Sequence, residues 1–226
     1  MNRKRFQNKV KKVLMRVAET KNYNHAREDQ QLYHNTGTSG FAFVGPILFN
    51  PWRAIPLGTN NHQRIGDEVQ PRGMKMRIWM ANKLDRPNVL YRVIVAVLPK
   101  TYNGVTVTAG SIDIGRTFQT GTNGNYLTMP IDVEKGIKVL YDKVFRNELG
   151  ISTVPLGLTG GKECHIFKKL WIKRKRSSKI QWEPVGTEIT NKPLAVYVIP
   201  YDSFGTLTTD NISSVAWTAT LYYKDV

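Results

Sequence analysis

The sequence predicts an all-β fold, an eight-stranded antiparallel jelly roll with long loops, on three observations. Apolar and polar side chains alternate from Met74 to Ala81, which is typical of a strand with one buried face. The apolar run 93–98 has the length of a buried strand and is too short for a buried helix. Two long loop-like stretches, 100–136 and 146–161, favour a jelly roll over its structural alternative, an up-and-down eight-stranded barrel with short hairpins.

Eight segments have the composition and length of strands. In chain order they are a segment within 26–36, followed by 74–81, 93–98, 137–145, 164–173, 180–185, 194–199 and 214–223. We interpret the second and third as the two arms of a long hairpin within Arg64–Lys100, because Asp85, Pro87 and Asn88 supply turn chemistry between them. The basic run 173–179 is interpreted as a turn that joins the fifth strand to a return strand at 180–185.

The charge of the chain lies in two segments. The 226 residues carry a net charge of +16, and their 41% hydrophobic content predicts a folded core. Residues 1–21 hold eight Lys or Arg and one Glu, and residues 162–179 hold the same, so each segment contributes +7. We therefore predict a basic arm at residues 1–21 and a jelly-roll domain at 22–226.

The arm has the composition of a nucleic-acid-binding segment. A line of cations matches the phosphates of a nucleic acid, and such binding is electrostatic and blind to sequence. The predicted contacts are Arg3, Lys4, Arg5, Lys9, Lys11, Lys12 and Arg16. We expect the arm to be disordered unless bound; two alternatives are a nuclear-localisation signal and a surface helix with Val10, Val13, Leu14 and Val17 on one face.

The second basic segment combines cations with an indole. Strand parity places Lys169, Trp171 and Lys173 on one face, and a cationic surface with an exposed indole is suited to stacking an unpaired base. The predicted nucleic-acid contacts are Lys169, Trp171, Lys173, Arg174, Lys175 and Arg176. The alternative is a solvated hairpin tip whose lysines prevent aggregation at a sheet edge.

The residues of a catalytic or metal site are missing from the sequence. The four histidines do not pair at helical spacing, and no CxxC or HExxH spacing occurs. Cys164 is the only cysteine, so an intrachain disulfide is impossible and a reducing compartment is favoured. No apolar run has transmembrane length. We expect a protein that is not an enzyme, holds no cofactor or metal, and does not span a membrane.

Several short motifs together resemble one viral family. They are Arg64-Ile65-Gly66 before a long alternating strand, Arg92 opening an apolar strand, Pro56-Leu57-Gly58-Thr59, Glu19-Thr20-Lys21 after a basic arm, and the closing Tyr222-Tyr223-Lys224-Asp225. This arrangement resembles the capsid proteins of circular, Rep-encoding single-stranded DNA viruses, the circovirus-like group. The resemblance implies a single jelly roll, an icosahedral shell of about sixty copies, an arm that faces the genome, and nuclear delivery.

The expected function follows from the charge and the resemblance together. We expect a coat protein that self-assembles and packages a single-stranded DNA genome without sequence specificity, located in the virion and, during assembly, in the host nucleus. The arm is shorter and richer in lysine than the long arginine-rich arms common in circoviruses, so the second basic segment would share in genome contact. The alternatives are a non-capsid single-stranded nucleic-acid-binding protein and a jelly-roll enzyme or lectin-like binder.

Overall fold

The computed structural model describes most of the predicted strands and part of the loops. It describes residues 6–7, 9–10, 13, 19–33, 48–49, 51–83, 88–99, 101–102, 105–106, 117–119, 127–148, 165–174, 179–184, 189–191, 194–202 and 211–225. Its strands are β1 (Lys21–Tyr33), β2 (Leu48–Phe49), β3 (Glu68–Asn82), β4 (Asn88–Val97), β5 (Thr101–Tyr102), β6 (Val105–Thr106), β7 (Lys138–Glu148), β8 (His165–Lys173), β9 (Ile180–Gln181), β10 (Leu194–Asp202) and β11 (Asn211–Asp225). Two 3-10 helices occupy Pro51–Ala54 and Val133–Lys135.

The strand order confirms the jelly roll. Sheet 1 has the order β1-β11-β3-β8, with the short β9 also paired to β3, and sheet 2 has the order β2-β10-β4-β7. Among the eight strands of these two paths, the first pairs with the eighth, the second with the seventh, the third with the sixth and the fourth with the fifth. All of these pairs are antiparallel. This is the pairing of one long hairpin rolled into two packed sheets, and two separate sheets exclude the up-and-down barrel.

The predicted hairpin within Arg64–Lys100 is wrong, although both of its strands exist. β3 pairs with β11, β8 and β9, whereas β4 pairs with β10 and β7 in the other sheet. The chain therefore crosses between the sheets after Asn82. The two strands have different patterns because β3 has one outward face that is not buried, whereas β4 is buried on both faces from Tyr91 to Val97.

The return strand predicted at 180–185 is also wrong. β9 covers only Ile180 and Gln181, and it pairs with Glu68 and Val69 of β3 beyond the end of β8. It extends the same edge of sheet 1 that β8 forms. The basic segment therefore does not form a two-stranded hairpin with β9.

The main core lies between the two sheets. Strand alternation brings one row of side chains from each strand into it, and the apolar residues of β3 and β11 that share a face in the sequence are buried there. The fully buried members include Met74, Met76, Ile78, Met80, Val93, Val95, Val196, Ala219 and Leu221.

A second, smaller core covers the outer face of sheet 2. Ile94 and Ala96 of β4 and Tyr197 of β10 are fully buried there against Phe118 and Ile131. Part of the predicted loop 100–136 thus packs on the sheet as a cover. The two internal strands of sheet 2, β4 and β10, are consequently buried on both faces, which explains their continuous apolar runs.

β1 begins earlier than the sequence pattern predicts. It starts at Lys21, so the arm as described ends at residue 20, and the predicted first strand at 26–36 is shifted toward the N-terminus. The five described residues before residue 19 have helical backbone, and the side chains of Phe6, Val10 and Val13 are exposed. The disorder of the arm stays a prediction. In the part of the chain with described coordinates, no helix is both long and apolar enough to cross a membrane.

Candidate nucleic-acid interface

The outer face of sheet 1 gathers cations and aromatic rings from two neighbouring strands. The register pairs Lys75 with Trp171, Arg77 with Lys169, and Trp79 with Phe167. Directly paired residues point to the same side of a sheet, so both strands contribute to one surface. We call this surface the β3–β8 face and define it by Lys75, Arg77, Trp79, Phe167, Lys169, Trp171 and Lys173.

The β3–β8 face confirms the strand parity predicted for the second basic segment. Lys169, Trp171 and Lys173 are exposed, while Leu170 and Ile172 between them are buried in the core. Trp171 is 56% exposed, an unusual position for an indole, and so it is available to a ligand.

All charged groups of the β3–β8 face are positive. The strand residues 73–81, 165–173 and 211–223 contain no Asp or Glu. Lys169 and Lys173 lie four residues apart on β8, which corresponds to roughly 14 Å along a strand. Lys75 and Arg77 lie beside them on β3. Four like charges on one surface create a positive potential that attracts a polyanion.

Trp171 is held in place by its neighbours. A Cβ built on Gly73 would lie 2.7 Å from Cζ2 of Trp171, so the indole occupies the space above this glycine. The Tyr222 ring flanks it at a centroid distance of 5.6 Å with a 54° tilt. Gly73 thus leaves a shallow depression in which the Trp171 indole lies, and the side chain of any larger residue would fill this depression.

The other end of the β3–β8 face is mainly aromatic. The Trp79 ring lies 6.2 Å from the His165 ring, and Nζ of Lys169 lies 5.6 Å from the centre of the Phe167 ring. Phe167 is 50% exposed. Rings and cations therefore alternate along the surface, as in sites that stack bases and contact phosphates together.

Not every predicted contact of the second segment lies on this face. Arg174 is only 6% exposed, because it follows the parity of Leu170 and Ile172, and burial lowers the pKa of its guanidinium. Its side chain offers little surface to a ligand, in contrast to Lys169 and Lys173. The predicted contacts Lys175 and Arg176 lie outside the described residues.

The arm leaves the domain beside the end of the β3–β8 face that carries Lys173. Lys173, Gly73, Tyr222 and Asn22 form one row across four strands, so the first residues of β1 lie roughly 15 Å from Lys173. The point at which the chain enters β1 thus lies near the second basic segment, although the two are far apart in sequence. Of the predicted arm contacts, Lys9 has a helical backbone and an exposed side chain. The others lie outside the described residues: Arg3, Lys4, Arg5, Lys11, Lys12 and Arg16.

The root of the arm is anchored by an ion pair. Nζ of Lys21 lies 2.7 Å from Oδ2 of Asp225 and donates to the Gln63 carbonyl at 3.1 Å. Burial, with the charge of Asp225 adding to it, raises the pKa of Tyr223 to about 12. This phenol therefore stays neutral at physiological pH and places no further negative charge at the root.

The sequence missed the contribution of β3 to the face. The alternation of Lys75, Arg77 and Trp79 opposite the buried methionines was visible, so these residues were expected on an outward face. Their neighbours were not visible, because the pairing of β3 with β8 joins segments about ninety residues apart. Charge counting alone also overlooks them, since only two of the cations belong to β3.

A metal site finds no support in the described residues. Among them, no group of three or more His, Cys, Asp or Glu side chains is close enough to hold an ion.

The comparisons with known proteins are sparse. No protein-family model and no curated protein matches the sequence. Among solved structures, the chain is similar to a chain of the cryo-EM structure of Mud Crab Dicistrovirus, with 11% identity, 89% of this chain and 68% of that chain covered, and a TM-score of 0.30. A likeness of this size carries no argument, so the fold rests on the strand order, and the circovirus-like resemblance stays a prediction.

Proposed function

We propose that the protein is a viral coat protein that self-assembles into a closed shell and packages single-stranded DNA without sequence specificity. The observation that carries the proposal is the convergence of the β3–β8 face with the root of the basic arm. In the shell, this side of the subunit faces the packaged nucleic acid. The protein acts by binding and assembly, and not as an enzyme.

The difference between the two sheets supports an inner and an outer side. The outer face of sheet 2 is covered by an apolar layer that includes Phe118 and Ile131. The outer face of sheet 1 presents exposed lysines of β8 and the exposed rings of Phe167 and Trp171. A polyanion inside a shell would neutralise these cations with release of counterions.

Edge protection accounts for only part of the basic surface. β8 lies at the edge of sheet 1, and lysines on an edge strand discourage pairing with another chain. However, Lys75 and Arg77 lie on β3, which is paired on both sides. An internal strand has no edge to protect, so the continuation of the charge onto β3 favours a binding function.

The family resemblance supports the finer parts of the proposal. It favours DNA over RNA as cargo, a shell of about sixty copies, and delivery to the host nucleus through the arm. A second candidate, a non-capsid single-stranded nucleic-acid-binding protein, uses the same β3–β8 face but does not form a shell. Assembly therefore separates the two candidates.

Sedimentation of the full-length protein, with and without single-stranded DNA at low salt, tests the proposal. A coat protein sediments as a large, homogeneous particle in at least one of these conditions. Sedimentation as a monomer or dimer in all of them would contradict assembly. Binding of DNA by such small species would support the second candidate.

A further inference from the structure

The β3–β8 face contains more than the charge needed to hold a polyanion. A purely electrostatic surface needs only cations, and the arm already supplies many. Here Trp171 lies between Lys169 and Lys173 on one strand and opposite Lys75 on the next. An exposed indole leaves a large apolar surface in water, which is unfavourable and which a serine or threonine would avoid. Its place among the cations therefore calls for a ligand with a flat apolar surface as well as phosphates.

We infer that Trp171, seated on Gly73, stacks an unpaired base, so that the β3–β8 face selects single-stranded nucleic acid over duplex. The flanking lysines and Arg77 contact the phosphates on either side. In a duplex the base faces are hidden in the stack, whereas every unpaired base offers one to an aromatic ring. This inference rests on the proposed function and names the side chain and the contact by which the site distinguishes an unpaired strand from a duplex.

The surroundings of Trp171 favour a fixed platform over a mobile side chain. The indole fills the space above Gly73, 2.7 Å from where a Cβ would lie, and the Tyr222 ring flanks it. A ring held before binding loses less conformational entropy when a base stacks on it. Stacking also tolerates any base, which agrees with packaging that ignores sequence.

A second ring extends the same surface. Trp79 lies on β3 four residues beyond Lys75, which places it roughly 14 Å from the level of Trp171 along the sheet. It is half-buried and packs near His165. Trp171 is therefore the principal platform, and Trp79 is a secondary one on the same path.

The five tryptophans make the site visible by fluorescence. Trp52, Trp182 and Trp217 are at most 3% exposed, so a ligand on the β3–β8 face leaves their emission nearly unchanged. Quenching by bound oligonucleotide should come from Trp171, with a smaller part from Trp79. Trp171→Phe keeps a ring and should retain binding while losing most of the quenching.

The decisive experiment compares the full-length protein with its Trp171→Ala variant on four probes of equal phosphate number. The probes are oligo(dT), the matching oligoribonucleotide, an abasic oligodeoxynucleotide and a duplex; sedimentation monitors the state of the protein. We expect the wild type to bind oligo(dT) at least about fivefold more tightly than the abasic strand, as stacking of one base predicts. Trp171→Ala should remove this difference and keep the abasic affinity. Comparable binding of the two base-bearing single strands would mean that the face does not distinguish DNA from RNA.

Salt dependence separates the ring from the cations. Removing one phosphate contact to a single strand lowers the slope of log K against log salt by about 0.7. Lys169→Ala should show this change, whereas Trp171→Ala should lower affinity with an unchanged slope. Lys143→Ala, which removes an exposed lysine from β7 of sheet 2, is the matched control and should alter neither quantity.

Two results would overturn the inference. The first is equal wild-type affinity for the abasic strand, oligo(dT) and duplex. The second is a Trp171→Ala variant that binds every probe as the wild type does. Particles that form normally but show no base discrimination would leave the coat-protein proposal standing, and base-dependent binding by a protein that never assembles would overturn that proposal alone.

Discussion

Arg92 and Asp142 form a two-point ion pair that joins β4 to β7. Nε of Arg92 donates to Oδ1 of Asp142 at 2.9 Å, and Nη2 donates to Oδ2 at 2.7 Å. Nη1 of the same guanidinium donates to the Met129 carbonyl at 2.6 Å, and the Phe118 ring lies 5.4 Å away. One buried side chain therefore holds both the edge of sheet 2 and the segment that covers it.

Arg92→Lys should destabilise the domain. An ammonium keeps the charge but loses the planar fork that reaches two carboxylate oxygens and a carbonyl together. We expect the free energy of unfolding to fall by about 2 kcal/mol, measured by urea denaturation at fixed protein concentration. Lys143→Ala, which removes an exposed lysine from β7, is the control and should change it by less than about 0.5 kcal/mol. Equal stability of Arg92→Lys and wild type would show that the cover does not depend on this fork.

The boundary between arm and domain should lie between residues 20 and 21. Deletion of residues 1–20 removes arm cations but keeps the ion pair of Lys21 with Asp225, so the melting temperature should stay close to that of the full chain. The nucleic-acid content of assembled particles should fall, because fewer phosphates are neutralised. Unchanged content would show that the arm is not a binder.

Lys21→Met in the full chain should have the opposite effect. It leaves the partly buried Asp225 carboxylate without its cation, so we expect the domain to lose about 1–3 kcal/mol of stability while the arm cations remain. Thermal and urea unfolding measure this loss. A variant as stable as wild type would mean that the ion pair does not anchor the root of the arm.

Gly73→Ala should displace Trp171 without unfolding the protein. The added methyl group meets the indole at 2.7 Å and the Ile172 carbonyl oxygen at 3.1 Å. The exposed ring can move outward, and the backbone contact requires a shift of only a few tenths of an ångström. Oligonucleotide quenching of tryptophan emission should therefore fall by at least half relative to wild type, with the melting temperature preserved. Gly66→Ala is the matched control, since a Cβ there meets no atom within 4 Å. Identical quenching in both variants would contradict the claim that Gly73 positions the Trp171 indole.

Stability should decline as the pH falls below about 6.5. Burial, and then the charge of Arg27, holds the pKa of His25 below its ordinary value, and the imidazole packs against Trp217. His25 therefore binds a proton at higher pH in the unfolded chain than in the folded chain. Its contribution to the free energy of unfolding is complete above about pH 6.5 and is lost as the pH falls. His25→Gln should flatten the melting temperature between pH 7 and pH 5. Asn24→Gln, on the same strand, should leave the slope as in wild type.

Local patterns predicted most strands because the spacing of apolar residues along a strand reflects which of its faces are buried. The alternation of β3 and β11 and the apolar runs of β4 and β10 correspond to one-sided and two-sided burial. The partner of β3 was predicted wrongly, because the turn residues after Asn82 occur equally in a hairpin and in a crossing between sheets. β1 was misplaced because an edge strand as polar as Lys21–Tyr33 lacks an apolar alternation.

The candidate nucleic-acid interface was likewise predictable only within single strands. Parity along a single strand sufficed to place Lys169, Trp171 and Lys173 on one face, and the same rule excludes Arg174 once the strand end is known. The contribution of Lys75 and Arg77 depends on register between strands that are distant in sequence, and no local rule supplies that.

Electron microscopy of the expressed full-length protein, with the 260/280 nm absorbance ratio of the particle fraction, tests the central claim most directly. The account predicts closed, uniform particles whose absorbance ratio shows packaged nucleic acid, and a lower ratio in particles that lack residues 1–20. A protein that forms no closed particle at low salt, with or without single-stranded DNA, would contradict it.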